Sequence, residues 1–555
     1  MKTSLIDQKL CNLILVTLVL VTLFVSPWNS VDPINLPKMT VLGILSFTVL
    51  GVLISKKRPV FNTINLKLWT LTIVFLAQFF AAAIFVSGDF AFKIYGTPQR
   101  NTGLLTYSCL VIIMLASASI ARTSFPTKFL YTLVGTATVL SVYGLAQSLG
   151  YEIFQYTSGS GVFSTFGNIN FHSAFMGVAS SSLLVFALTG QKKFKIKSML
   201  LFIFVLCLLN IMESSSQGFL SLAGGVTVAL LASLFSRRRL IVGVIVSLIA
   251  SIGAFLVTLA VFNHGPIAGL IYETSLKTRG FYWQAGVNML IDRPFFGVGV
   301  DGFGDSYLRF RSKEAADFNM LLASDSAHNV FLDIGTSGGI TLLIAYLGIQ
   351  TLVILGLMQR IRLKIEMDSI YLSVLAAWSA YQIQSLISIN QIGLGIWGWA
   401  MSGLLIGFGL IEKTGTSRKP RPDRKILPIS NQKSPSHTVT LSIVGMVVGL
   451  LISLPPYLAA NKFYKAMQSG RIEILADSFD LWPSDRTRYF YVARILTDNK
   501  YEANAIPILE VATVRYPDYF PLWIQLVQNP KSTPNQIAEA KMELKRLDPL
   551  NPAWK

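Results

Sequence analysis

Residues 240–262 read LIVGVIVSLIASIGAFLVTLAVF, an unbroken run without one charged side chain. An α-helix rises about 1.5 Å per residue, so roughly 20 apolar residues carry it across the hydrocarbon layer. This stretch meets that requirement alone and supplies the template for the rest of the chain. Of the 555 residues, 52% are hydrophobic and only 14% charged, against about 25% charged in soluble domains. The mean hydropathy of +0.55 points the same way. A soluble globule is excluded, and the expected fold is an all-α polytopic membrane protein.

Applied along the chain, the template finds thirteen spans, at about 11–27, 39–55, 67–86, 103–121, 128–149, 170–189, 198–212, 218–235, 240–262, 330–357, 369–389, 394–411 and 438–458. The seventh is short for a crossing, which suggests a helix that is tilted, re-entrant or paired tightly with the eighth. The first follows Lys2 and Lys9 as a signal peptide would, but no small-residue cleavage site comes after it, so it reads as a retained helix. Cys11, Cys109 and Cys207 lie far apart inside apolar stretches, a pattern of packing rather than of disulfides or metal ligation.

Orientation follows from lysine and arginine, which concentrate in cytoplasmic loops. With the N-terminus inside, the inner segments carry 25 of them and the outer loops before residue 459 carry nine. The expected location is therefore the cytoplasmic (inner) membrane, with the C-terminal region outside. Most of the net charge of +19 sits beside anionic lipid under this topology, and a nucleic-acid partner is not needed to account for it. Residues 413–437, KTGTSRKPRPDRKILPISNQKSPSH, are basic and rich in Pro and Ser. They read as a disordered cytoplasmic linker between the last two spans.

The outer loop 263–329 breaks the charge rule. It holds Lys277, Arg279, Arg293, Arg309, Arg311 and Lys313 together with Asp292, Asp301, Asp305, Glu314, Asp317 and Asp325. Pairing within a solvated surface is expected for most of these charges, with one or two cations left to bind an anion at the membrane surface. Two other outer segments share that face. One is SGDFAFKIYGTPQRNT (87–102), where Arg100 precedes a helix; the other, 150–169, leads into Asn170 and His172. A helix N-terminus adds to such a cation's attraction for phosphate. His328 and Asn329 close the long loop at the start of the tenth span.

Three stretches then carry a resemblance: GSGVFSTFGNINFHSAF (159–175), TRGFYWQAGVNMLIDRPFFGVGVDGFGDSY (278–307), and His328-Asn329 followed by VFLDIGTSGGITLLIAYLG. In order and spacing they resemble the bacterial O-antigen ligase and polymerase superfamily, which includes lipid A-core O-antigen ligases, O-antigen polymerases and protein O-oligosaccharyltransferases. Arg279 with Trp283 matches the family's R-x-x-x-W element. Asp292 to Gly299 matches D-x-P-x-x-G-x-G, and His328 with Asn329 matches the closing pair. IYGTPQRNTGLLTY (94–107) and QIQSLISINQIGLGIWGW (382–399) add to the likeness, which spans roughly residues 90–410.

The resemblance implies a GT-C-like bundle that moves a glycan from an undecaprenyl-pyrophosphate carrier to an acceptor hydroxyl at the outer face, without a metal or other cofactor. Arg279 is implied as the group that holds the departing pyrophosphate, with Arg100 a second candidate; guanidinium is permanently charged and contacts two oxygens at once. A hydroxyl acceptor needs a base, and the implied base is His328. Asn168, Asn170 and Asn329 are candidates for orienting donor or acceptor. Family ligases commonly carry an arginine near the start of the eighth span, whereas this chain has Gln217, which brings hydrogen-bond donors but no charge. The acceptor class stays open among protein, lipid and growing polymer.

From 459 to 555 the hydrophobic density falls. Trp482-Pro483, Tyr516-Pro517 and Asp548-Pro549 recur at intervals of 34 and 32 residues, a tetratricopeptide-like period. Two such units rarely stand alone, so this tail is expected to lean on the membrane domain or on a protein partner. Two other readings remain. A solute transporter would use intramembrane polar residues such as Gln147, Gln382 and Gln384, yet the unusual residues gather in an external loop. A non-enzymatic scaffold would display the tail and leave Arg279 and His328 without a purpose.

Overall fold

The computed structural model describes residues 4–26, 28, 31–56, 64–153, 161–191, 193–261, 264–266, 274–409 and 435–554, and regular structure there is helical throughout. The first ten helices are α1 (Leu5–Leu23), α2 (Asn35–Ile54), α3 (Leu66–Phe85), α4 (Phe90–Tyr95), α5 (Leu104–Ile120), α6 (Phe125–Ser148), α7 (Ile169–Thr189), α8 (Phe194–Ser214), α9 (Gln217–Ser236) and α10 (Leu240–Val261). The long loop contributes α11 (Thr274–Asp292), α12 (Phe303–Phe310) and α13 (Lys313–Phe318). The bundle closes with α14 (Val330–Arg362), α15 (Ser369–Ser385), α16 (Ile392–Gly409) and α17 (Pro435–Gln468). The tail holds α18 (Ile472–Ala476), α19 (Arg486–Asp498), α20 (Glu502–Arg515), α21 (Phe520–Gln528) and α22 (Pro534–Leu547).

Eleven of these helices are long and apolar enough to cross a membrane. Helices α5 and α15, 17 residues each, occupy the two remaining expected spans. The short seventh span becomes a full 21-residue helix, α8. Its first turn contains Lys195 and Lys197, which a hydropathy window rejects although long basic side chains reach readily toward a polar boundary. The last span also lengthens, since α17 runs 34 residues and delivers the tail. Of the expected basic linker, residues 413–434 lie outside the described residues. Cys11, Cys109 and Cys207 are buried and unbridged.

The D-x-P-x-x-G-x-G segment has a structural role visible in the backbone. Helix α14 kinks where Gly338 and Gly339 leave helical geometry, freeing groups that the loop then satisfies. Val298 N donates to Thr336 O at 2.8 Å and Ile340 N donates to Pro294 O at 2.8 Å. Gln78 Nε2 of α3 donates to both Phe295 O (2.5 Å) and Gly338 O (2.8 Å). Gly339 has φ +79°, and a Cβ there would run into the carbonyl oxygens of Pro294 and Phe295. The long loop is thereby fixed to a transmembrane helix by its backbone.

The tail packs as two antiparallel helix pairs, α19 with α20 and α21 with α22, around Tyr489, Val492, Leu509, Leu522, Trp523 and Leu544. It rests on the loop end of the bundle, and here the expectation of charge pairing within the long loop needs correction. Among the described residues, Arg293 with Asp292 is an in-loop pair, but the buried charges reach elsewhere. Arg311 Nη2 donates to both oxygens of Asp548 (2.7 and 2.9 Å) with neither side chain open to solvent. Arg486 pairs with Asp305, and Arg515 with Asp89 at 3.2 Å. Burial holds the Asp305 carboxyl above its ordinary range while Arg486 opposes the shift. Partners 181, 237 and 426 positions apart cannot be read from local charge patterns.

Gly339→Ala places a Cβ at a left-handed position against two carbonyls, and it should cost on the order of 2 kcal/mol or more. Thermal unfolding of the purified protein in detergent checks this; an unchanged midpoint would show that the loop is not held at the kink.

Candidate functional site

The site is built where the long loop returns to the bundle. Asn329 caps α14, its Oδ1 accepting from Phe331 N (3.0 Å) and Leu332 N (3.1 Å), while its Nδ2 donates to Leu386 O at 3.0 Å. Capping of this kind satisfies backbone donors that the first helical turn leaves open. One residue earlier, His328 takes φ +50°, a left-handed conformation that costs a non-glycine residue about 1 kcal/mol or more. The imidazole stacks on Tyr282 of α11, with ring centroids 5.5 Å apart and planes 27° apart. Tyr282 stands one helical turn after Arg279, so both share a face of α11. The structure thus brings His328 and Arg279 together, with Trp283 beside them in sequence.

Burial lowers the His328 imidazole to about 4, the Arg279 guanidinium adds to the shift, and Asp325 opposes it. The ring is therefore neutral at neutral pH and keeps a lone pair available. Protonating it beside Arg279 is unfavourable because the two like charges repel.

Arg100 lies deeper, almost fully buried. Its Nη1 donates to Asp325 O at 2.5 Å, and its Nη2 faces Asp301 (3.5 Å) and Asp333 (3.7 Å). Burial alone would weaken its charge, yet Asp301, Asp325 and Asp333 together push its pKa above the ordinary guanidinium value. Asp301 also accepts from Thr97 N (2.6 Å) and Thr102 Oγ1 (3.2 Å), and Asp333 from Ala327 N (2.7 Å). Arg100 consequently joins three segments: the 97–102 turn, the end of the D-x-P-x-x-G-x-G loop, and the turn that carries His328. Gln99, Asn101, Asp301 and His328 all have positive φ, which concentrates backbone strain at this junction.

The remaining candidates sit at the same end of the bundle. Gln217 opens α9, buried, with Nε2 3.4 Å from Gln384 Oε1 and its own Oε1 unpartnered. Asn168 caps α7 by accepting from Asn170 N at 2.8 Å, and Asn170 is half-buried in the first turn. Asn329 and Asn168 are therefore engaged by helix ends, while Gln217 retains an unused polar atom. Sequence reasoning missed the binding of Arg100 by Asp301 and Asp333 and the stacking platform Tyr282. Only Tyr282 had a local signal, its three-residue spacing from Arg279.

Residues 200–347 match the family model described as O-antigen ligase, which supports the superfamily resemblance carried by the motifs. No curated protein matches the chain.

Removing Arg100 strands buried carboxylates, a change that typically costs about 3–5 kcal/mol. Arg100→Met should destabilise the detergent-solubilised protein by that order, and adding Asp333→Asn should recover part of the loss. Equal unfolding midpoints for Arg100→Met and the parent would rule out the structural role.

Proposed function

With an O-antigen ligase segment as the premise, we propose that this protein transfers a glycan from an undecaprenyl-pyrophosphate carrier to an acceptor hydroxyl at the outer face of the cytoplasmic membrane. The family match supports glycan transfer in general. The observation that carries the finer reading is the approach of Arg279 and His328, from opposite ends of the long loop, next to the start of the long apolar helix α14.

In this reading the acceptor oxygen attacks the sugar C1, the C1–O bond to phosphate breaks, and its electron pair leaves on the pyrophosphate. His328 takes the acceptor's proton. Arg279 holds the charge growing on the leaving oxygens, a task suited to a bidentate and permanently charged group. Arg100, already matched by carboxylates, holds the His328 turn in position, and Gln217 offers amide hydrogens where relatives commonly bring a cation. The depressed imidazole has a use here. A pyrophosphate at Arg279 offsets the guanidinium's field and raises the proton affinity of His328, so the base gains strength when the donor is in place. In this reading Arg279 carries the leaving-group charge without a metal ion, and activity is expected to survive chelation.

The tail lies outside the membrane on the same side as this site. Its tetratricopeptide-like period makes it a platform for a large acceptor, a protein or growing polymer ahead of a small lipid.

The test is transfer by the purified protein, using undecaprenyl-pyrophosphate-linked glycan with candidate acceptors. His328→Ala and Arg279→Ala should each reduce product by about a hundredfold or more, in the range removed with a general base or an oxyanion donor, while circular dichroism and unfolding stay at parental values. Product formation unaffected by either substitution would contradict the assignment. Absence of transfer with any acceptor, together with solute uptake by vesicles containing the protein, would replace it with the transporter reading.

A further inference from the structure

A cavity of about 340 Å³ lies between the bundle and the tail, lined in part by the 97–101 turn and by Asp325 of the candidate site. Its bundle wall includes Asp32, Tyr95, Asn101, Asp325 and Ala460; its tail wall includes Asp485, Arg488, Tyr491 and Tyr516. Its volume is in the range of small-molecule sites, about 300–1,000 Å³.

Two buried polar groups on its walls lack partners. Arg488 is 3% exposed, and its Nη2 donates to Pro483 O while its Nη1 has no acceptor. Asn101, from the opposite wall and also 3% exposed, has an unpartnered Oδ1. Leaving such groups unsatisfied is costly, and one is a donor while the other is an acceptor. The charged groups around them do not favour an anion. Asp32, Asp325 and Asp485 line the cavity against Arg486 and Arg488, and Arg486 is already paired with Asp305 and sandwiched between Phe92 and Tyr519 at 4.4 and 4.5 Å. A neutral group that both donates and accepts, with apolar faces to lie against tyrosine rings, fits these walls, and sugar hydroxyls on a pyranose ring have that chemistry.

We propose that this cavity binds a saccharide segment of the acceptor, with the tail supplying one wall. The proposal rests on the glycan-transfer reading for the ligand's identity, and it assigns the tail a direct part in holding substrate. Asp325 lines the cavity and lies three residues before His328, so the cavity and the candidate base are joined by one short segment.

Binding is measured without turnover, by saturation-transfer NMR on the full chain in nanodiscs carrying His328→Ala. The probe is the delipidated repeat-unit oligosaccharide of the producing cell's own surface glycan. Arg488→Gln removes the buried donor, and Ala460→Trp fills the cavity from the membrane-helix side without touching the tail's fold. Each should weaken binding about tenfold, and inorganic pyrophosphate should not compete. If the parent does not bind the probe, or Ala460→Trp binds it as tightly as the parent, the cavity holds water only and the proposal is overturned. If both variants lose binding while no transfer occurs in the parent enzyme with intact His328, the saccharide site stands and the transfer reaction falls.

Discussion

A single buried guanidinium organises the functional end of this molecule. Arg100 reaches Asp325 O, Asp301 and Asp333 from a turn that precedes α5, and these partners belong to the His328 turn, the end of the glycine-rich loop and the first turn of α14. Taking a cation and two carboxylates out of water is expensive, and the arrangement persists because each carboxylate has further hydrogen bonds. Its value is geometric. With the cluster in place, the chain passes through His328 in a left-handed conformation, and the imidazole rests on the ring of Tyr282. The cation that the sequence offers as a second phosphate ligand also fastens these three segments together.

A division of labour between the cations follows. Arg279 lies half-buried on the loop helix α11 within electrostatic reach of the imidazole, and Arg100 is enclosed by carboxylates. The tail is fastened by the same means, through Arg311 with Asp548 and Arg486 with Asp305. Charges that break the positive-inside pattern in the long loop therefore include one that fastens the tail, Arg311, and one that acts on the His328 imidazole, Arg279.

The bundle was legible because crossing a bilayer imposes a length and a composition that twenty residues display locally. Thirteen spans correspond to thirteen helices; α8 was read short because lysines in its first turn masked apolar continuity, and α17 because it continues past the apolar run into the tail. The motif residues Arg279, His328 and Asn329 were visible through order and spacing. Their partners were not: Asp301 and Asp333 meet Arg100 across some 200 positions, and Asp548 meets Arg311 across more. No periodicity reports such pairs. The glycines of D-x-P-x-x-G-x-G were legible as a motif but not as backbone docking onto a helix kink, since the need for Gly339 arises only when another segment's carbonyls approach it.

The central claim is that His328 and Arg279 form one electrostatic unit that responds to a pyrophosphate. The most direct measurement is the titration of the His328 imidazole by NMR with labelled histidine, assigned by loss of the signal in His328→Gln, before and after addition of inorganic pyrophosphate. The account predicts a free value near 4 that moves upward when pyrophosphate is added, and an Arg279→Gln variant whose value starts higher and barely responds. An imidazole that titrates near its ordinary value of about 6.5 and ignores pyrophosphate would contradict it.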